Sequence, residues 1–580
     1  MATTIRSRTA TPLEGDRLPR RWLPAGVTQY LLWGGAVVFI LGPIIPILWA
    51  SLWSTPLYEA GGSFTLDNYS RLFGDPEWWA AVRNSIEFAV LATVGSVVIG
   101  TAMAVLFTRT DLPGRRIYRS VVLAPVALPG LVLVIGWASA WAPSGYATRW
   151  LEAHTPIANP VNLYSVPGMA VVAISVAAPV VYFFVRGTLS SLDSALEDAA
   201  RTVGAGPFTV MRTVTVPMLR PAILNSGMIV FALSLEVLGL PLILGTSTGT
   251  KFISSYLYDK WVKTTPADPA LVAAGAVLLL VMVTVLLLAR NRLTGNLARY
   301  TTSTGKPTGT STLQLGPVRW LLSGLVGLYL LVTLVAPLVG IVLSAFTTIL
   351  SPYISPWSVL TTEHFHTVLG NDTFTASIRN SVVIATVGAA LATLAIVALS
   401  AVAHRSAFRY RKTLPHVMLY PRAMPGLVVG MAFFWTFAIL DGSGSFRTTL
   451  WAMGLAFVVR NVALGYSVFF PALASLGEDL DRAARSSGAD WWTSMRTVVF
   501  RLLRPAMAVS FVLLFVSILG ESDPAVFLVT PKTQVMGLTM LQLSIGGVAG
   551  PVAALGVIQI VITVVVLGIG RLIFGVRPHA

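Results

Sequence analysis

The sequence predicts an all-α polytopic membrane protein, with twelve transmembrane helices arranged as two parallel six-helix repeats. Of its 580 residues, 55% are apolar and 11% charged, about half the charged share of an ordinary soluble domain. Apolar runs of about 20 residues, the length that crosses a hydrocarbon core of roughly 30 Å, recur along the whole chain. The second half then repeats the landmarks of the first. A mean hydropathy of +0.76, with 49 Gly and 35 Pro scattered through apolar runs, fits a chain whose solvent is lipid, where both residues are tolerated in helices. No cysteine occurs, which excludes a disulfide scaffold, thiolate metal sites and a cysteine nucleophile together.

In the first half the spans fall near 27–51, 83–108, 120–142, 166–188, 222–247 and 268–290. Those of the second half fall near 319–346, 377–403, 415–438, 449–471, 506–530 and 549–573. An even number returns the chain to its starting side. With both termini cytoplasmic, 29 of the 40 Lys and Arg lie on the cytoplasmic side, and nine on the other. That asymmetry is the positive-inside pattern. It accounts for the net charge of +16 through the bilayer, with no nucleic-acid partner. The expected organisation is a cytoplasmic tail (1–26), a first six-span repeat (27–290), a cytoplasmic linker (291–318), a second repeat (319–573) and a short cytoplasmic tail (574–580), in a multi-pass protein of the cytoplasmic (inner) membrane. Thr301 to Leu315, rich in Thr, Gly and Pro, reads as a flexible joint.

The duplication is explicit. Arg83-Asn84-Ser85 returns as Arg379-Asn380-Ser381, and Pro125 with Pro129-Gly130 returns as Pro421 with Pro425-Gly426, each 296 residues on. Gly204, Met211-Arg212-Thr213-Val214 and Leu219-Arg220-Pro221 return as Gly488, Met495-Arg496-Thr497-Val498 and Leu503-Arg504-Pro505, now 284 residues on. A repeat of six spans enters the membrane with unchanged orientation, so the halves are parallel rather than inverted.

Between the fourth and fifth spans of each half lies a polar segment of roughly 30 residues, long for a loop between short connections. Leu189, Leu192, Leu196, Ala199, Ala200 and Val203 recur at three- and four-residue spacing, which predicts a short amphipathic helix ending near Gly204, a residue suited to a helix C-terminus. Leu473, Leu476, Leu480, Ala483 and Ala484 repeat the stripe before Gly488. One such helix could simply rest on lipid; two at matching positions favour docking to a partner.

Asp198-Ala199-Ala200, three residues, Gly204, nine residues, Val214, one residue and Val216-Pro217 resemble the EAA loop of permease subunits of binding-protein-dependent ATP-binding cassette importers. The second copy departs further, with Arg482-Ala483-Ala484, Gly488, Val498, Phe500 and Arg501. Arg83-Asn84-Ser85, Leu112 to Arg116, Ala127 to Gly130 and Pro241 to Gly245 are similar to the fused, double-length permeases of the ferric-iron type. The resemblance implies a type I importer permease fold. It implies coupling to a separate ATPase through Leu192, Leu196, Asp198, Ala199, Ala200, Gly204 and Pro217 in one loop, and Leu476, Leu480, Arg482, Ala483, Ala484 and Gly488 in the other. It also implies two ATPase copies, which carry the ATP and Mg, an extracytoplasmic substrate-binding protein, and ferric iron or a related small solute such as thiamine, a phosphonate or a polyamine.

Ionisable groups at mid-bilayer are expensive, and each is a site candidate. Glu236, Arg422, Arg460, Glu521 and Asp523 qualify. Two readings stay open: Arg460 or Arg422 pairs with Glu521 or Asp523 to lock neighbouring helices, or some of these groups line a wet pathway between the halves. Pro129-Gly130, Pro425-Gly426 and Pro241 can break their spans beside it. No Gly-x-x-x-x-Gly-Lys-Ser/Thr run cradles phosphates, so the chain is not expected to be an enzyme or to hold a cofactor. The six histidines are scattered and predict no metal site. The longer outside loops, 52–82 and 347–376, carry Asp67, Asp75, Glu77, Glu363 and Asp372, an expected acidic docking face. The alternative function is an ion-gradient-driven secondary transporter built from two parallel halves.

Overall fold

The computed structural model describes residues 27–574 apart from 157–160, 192–194, 298–312, 352, 407, 478–485, 487, 489–496 and 498. Ten helices are long and apolar enough to cross a membrane, and two further spans are bent pairs. The first half contains α1 (Val27–Ser51), α2 (Pro76–Arg109), the bent pair α3 (Arg115–Ala127) and α4 (Gly130–His154), α5 (Val166–Ser191), the loop helix α6 (Ala195–Thr202), α7 (Met211–Leu235), a short α8 (Ile253–Val262) and α9 (Pro269–Arg290). The second half follows with α10 (Val318–Phe346), α11 (Asp372–Arg405), the bent pair α12 (Leu414–Ala423) and α13 (Gly426–Leu440), α14 (Leu450–Ser475), α15 (Phe500–Leu519), a short α16 (Met536–Ile545) and α17 (Ala549–Leu572).

Two of the expected spans break at their Pro-Gly pairs, as those residues predict, and the bounds of two more need correction. The spans at 120–142 and 415–438 are not straight: the chain turns by 106° between α3 and α4 and by 109° between α12 and α13. Leu128 and Met424, each preceding a proline, are extended (ψ 145° and 110°), because the proline ring disfavours the helical region one residue earlier. The spans at 222–247 and 506–530 stop early, at Leu235 and Leu519. Beyond Leu235 the chain leaves the helix over 236–238 before a wide turn over Pro241–Gly245, where Pro241 sits in a first turn that needs no amide from it. Hydropathy alone does not register such breaks.

Within each half a triplet packs closely: α2 on α5 and α7, and α11 on α14 and α15. The first helix of each half then crosses to the other half. In α1, Trp33 Nε1 donates to Thr413 Oγ1 at 2.9 Å, and α1 continues between α9 and α13. In exchange, α10 packs on α4, with Tyr118 Oη donating to the Ser323 carbonyl and Trp141 Nε1 to the Val332 carbonyl, both at 3.1 Å. The backbones of α4 and α10 nearly touch. A Cβ on Gly136 would lie 2.6 Å from the Pro337 carbonyl oxygen, so small residues set this crossing.

Candidate functional site

One face of the molecule carries the polar loops and is called the loop face; the far face lies at the other end of the spans. On the far face the two Asn-Ser motifs do the same work. Asn84 Nδ2 donates to the Lys251 carbonyl and Ser85 Oγ accepts from the Ile253 amide at 2.9 Å. Asn380 Nδ2 donates to the carbonyls of Lys532 and Gln534, and Ser381 Oγ accepts from the Met536 amide at 2.8 Å. Each serine thus satisfies a free amide at the start of α8 or α16, fixing those short helices beside the breaks.

The acidic docking face is not free on the first half. Asp75 lies 2.9 Å from Lys260, Glu77 lies 3.3 Å from Lys251, and Asp67 lies 3.4 Å from Arg71. Burial pushes the Asp75 carboxyl up, but hydrogen bonds from Tyr256 and Lys260 outweigh it and leave the group below the ordinary carboxylate range. The segment around α8 folds over these acids, a long-range contact that counting loop charges cannot show.

On the loop face, α6 is shorter than expected, because Leu189 belongs to the end of α5, where it is buried. Gly204 has φ +85°. Its amide donates to the Arg201 carbonyl and the Ala205 amide to the Ala200 carbonyl, the paired closure that ends helices on a left-handed glycine. Gly488 has φ +86°, the same left-handed conformation. Asp198 is exposed and lies 3.6 Å from Arg201; Ala199 is exposed and Ala200 half-buried. A wide turn over Met211–Thr215 precedes Pro217, whose ring offers no amide to the helix. Leu192, Leu480, Arg482, Ala483 and Ala484 lie outside the described residues, as does the side chain of Leu196. Leu476 ends α14.

The acid that holds α6 is Glu197, which the sequence reading missed. It is 5% exposed; its Oε1 accepts from Thr215 Oγ1 at 3.0 Å and lies 3.8 Å from Arg109 Nη2. Arg109 Nη2 also donates to the Leu189 carbonyl at 3.2 Å. One clamp therefore joins the loop helix to the ends of α2, α5 and α7. Arg405, 296 residues after Arg109 and 2% exposed, donates to the Leu476 carbonyl at 2.6 Å. That repeat spacing was the available signal, hidden because both arginines were counted only as loop charges.

At mid-membrane the breaks converge. A Cβ on Gly520 would lie 3.1 Å from Pro129, and one on Gly426 would lie 2.8 Å from the Asp523 Cβ. Between them is a cavity of about 330 Å³ lined by Glu236, Arg460, Glu521, Ser522 and Asp523. Arg460 does pair with a carboxylate, but not in its own half: its Nη2 lies 2.8 Å from Glu236 Oε1. Glu521 Oε2 accepts from Asn461 Nδ2 at 3.1 Å, and Asp523 Oδ1 from Ser522 Oγ at 3.0 Å. The within-half pairing expected for Arg460 is thus corrected to a pairing across the halves. Arg422 lies exposed at the end of α12, outside this cluster, and among the described residues it forms no ion pair. Among the described residues no group of three or more His, Asp or Glu could hold a metal ion. His364 instead sits against the Thr347 carbonyl at 3.1 Å.

Residues 96–299 and 396–574 each match the family described as the binding-protein-dependent transport system inner membrane component. The chain belongs to that family. The ferric transport system permease protein FbpB of Actinobacillus pleuropneumoniae is 26% identical over 536 residues, covering 91% of this permease and 75% of the relative. A putative ferric transport system permease protein FbpB 1 of Haemophilus influenzae is 24% identical over 508 residues, covering 86% and 77%. A putative 2-aminoethylphosphonate transport system permease protein, PhnU, of Salmonella typhi is 24% identical over 245 residues, covering 41% of this permease and 82% of the relative. The permease is therefore a multi-pass, two-repeat membrane subunit of an ATP-binding cassette importer. It is a transport subunit and not an enzyme, and its system includes an ATPase and a substrate-binding protein. Membership decides against the ion-gradient-driven alternative.

Proposed function

We propose that two copies of a cytoplasmic ATPase drive this permease, one on each of the loops around α6 and around Gly488, and that ATP and magnesium are held by those subunits. The loop face and both termini are then cytoplasmic, in keeping with the basic residues gathered there, and the external binding protein delivers solute to the far face. The supporting observation is the clamp of Arg109, Glu197 and Thr215. Because one buried acid ties α6 to three spans, a displacement of α6 by a closing ATPase moves α2, α5 and α7 together. The repeats 27–290 and 319–573 act as the two moving bodies, joined by the 291–318 linker, whose residues 298–312 lie outside the described residues.

The solute enters the cavity around Glu236 and Arg460, where the two halves meet. Ferric iron is the first candidate, since relatives bearing that name cover most of the chain; a phosphonate, thiamine or a polyamine is the next. The test is purification in mild detergent with identification and mass ratio of the bound soluble subunits, followed by uptake into vesicles. Two ATPase subunits per permease and ATP-dependent uptake are expected. Uptake by the permease alone, driven by a proton or sodium gradient, overturns the reading.

A further inference from the structure

The mid-membrane cavity has an unbalanced lining. Three carboxylates, Glu236, Glu521 and Asp523, face it with one guanidinium, Arg460. Glu521 and Asp523 each have a neutral donor, from Asn461 and Ser522. Glu236 differs. Its side chain is 9% exposed, Arg460 reaches only Oε1, and among the described residues Oε2 has no hydrogen-bond partner. A buried carboxylate oxygen without a donor costs on the order of 1–3 kcal/mol or more, so Oε2, itself closed off beside Arg460, is an acceptor that an arriving cation can satisfy as Arg460 gives way. Among the charged groups nearby, Arg290 is turned away, its Nε donating to Asn225 Oδ1 at 2.7 Å, and Arg422 does not line the cavity.

We infer that Glu236 is the recognition group of a mid-membrane site for a positively charged solute, and that Arg460 is an internal cation that occupies Glu236 when the site is empty. The pair joins α14 of the second half to the end of α7 in the first. An arriving cation that takes over the Glu236 carboxylate releases Arg460 and with it a contact that holds the halves together, so occupancy and separation of the halves are linked. The site does not strip its cation: no three ligating side chains among the described residues are close enough to grip a bare metal ion. A volume of about 330 Å³ admits on the order of ten waters, or a cation with its own ligands. The shared chemistry is a compact cationic group that keeps its shell, either a complexed metal ion or an organic ammonium.

The site rests on the importer reading, but its test uses the permease alone in membranes, so failure of ATPase coupling and failure of the site are separable. The natural absence of cysteine allows a single reporter, Ser234→Cys in the cavity lining, with Ser70→Cys on the exposed far face as reference. Each is labelled with a cationic trimethylammonium methanethiosulfonate and with its anionic sulfonate counterpart. The cation-to-anion rate ratio at position 234 is expected to exceed that at position 70 by at least about tenfold, as acidic clefts do for cations, and to fall severalfold with Glu236→Gln. With Arg460→Gln it is expected to rise. If Ser234→Cys lowers membrane abundance, Ser522→Cys replaces it. A ratio equal to or below the reference, or no labelling at either position, overturns the site. Protection of the cavity cysteine by hexaamminecobalt(III) identifies a complexed metal ion as the class, and protection by spermidine an organic ammonium. Protection by both identifies a site that reads charge alone, and protection by neither overturns it.

Discussion

The two halves agree at the far face and differ at mid-membrane. Asn84-Ser85 and Asn380-Ser381 make matching hydrogen bonds to the starts of α8 and α16. Halfway through the bilayer, the first half lines the cavity with one ionisable group, Glu236, whereas the second contributes three, Arg460, Glu521 and Asp523. Residue 176, which corresponds to Arg460 by the 284-residue spacing, is Val176, and it too lines the cavity. A duplicated frame has kept the contacts that position the broken spans, because both copies need them for folding. The lining was free to diverge, because one passage needs only one set of polar groups.

The largest expected effect breaks the unequal part. Replacing Arg460 by Leu leaves Glu236 buried without its cation, which costs about 3–5 kcal/mol when a buried pair loses one member. Thermal unfolding in detergent reads the loss, and the double variant Arg460→Leu with Glu236→Leu should recover much of it. No recovery means that the cross-half pair is not the coupled unit. Next comes Glu197→Ala, which removes the acid beside buried Arg109 and should cost about 2 kcal/mol, the scale of a hydrogen bond to a charged group. ATPase stimulation and uptake should fall together at matched membrane abundance; Asp198→Ala, at an exposed position, should leave folding unchanged.

A third comparison sets Gly204→Val against Gly488→Val. Both positions have φ near +85°, so each substitution costs about 1–2 kcal/mol through its backbone. With equal folding costs, any greater loss of ATPase stimulation at Gly204 measures how much more coupling passes through the first loop, where Pro217 is kept and its counterpart is Arg501. Ser85→Ala and Ser381→Ala should lose about 1 kcal/mol each, and a clear inequality between them would break the equal part of the comparison.

The smallest effect is a pH dependence at the far-face turn after α13. Backbone amides of Arg447 and Phe446, with the Ser443 hydroxyl, hold the Asp441 carboxyl down at about 2. Its contribution to the turn is therefore complete above the unfolded value near 3.8 and is lost as pH falls through about 2. Asp441→Asn should remove this dependence, read by proteolysis of the turn between pH 5 and pH 2.

Much of the architecture was legible in the sequence, because the bilayer imposes a length and an apolar content that any spanning helix must meet. The repeat, the asymmetry of basic residues and the left-handed glycines at 204 and 488 follow from local chemistry and needed no contacts. Asp198 was read as the acid of the loop because it aligns with a motif, whereas adjacent Glu197 is the one turned inward. On a helix of eight residues, only packing distinguishes neighbouring acids. The ends of the fifth and eleventh spans were misplaced because apolar content continues across Pro241 and past Leu519 while the helix does not.

What the sequence determined by itself is the class: a membrane protein written twice, with its basic loops on one side, set by the energetics of apolar segments in lipid and of charge at its surface. What only the tertiary structure decided is which charges meet. Glu236 and Arg460 stand 224 residues apart, and nothing in either neighbourhood names the other. They pair where α14 of the second half meets the end of α7 of the first, because a charge buried at that interface must find its partner across it.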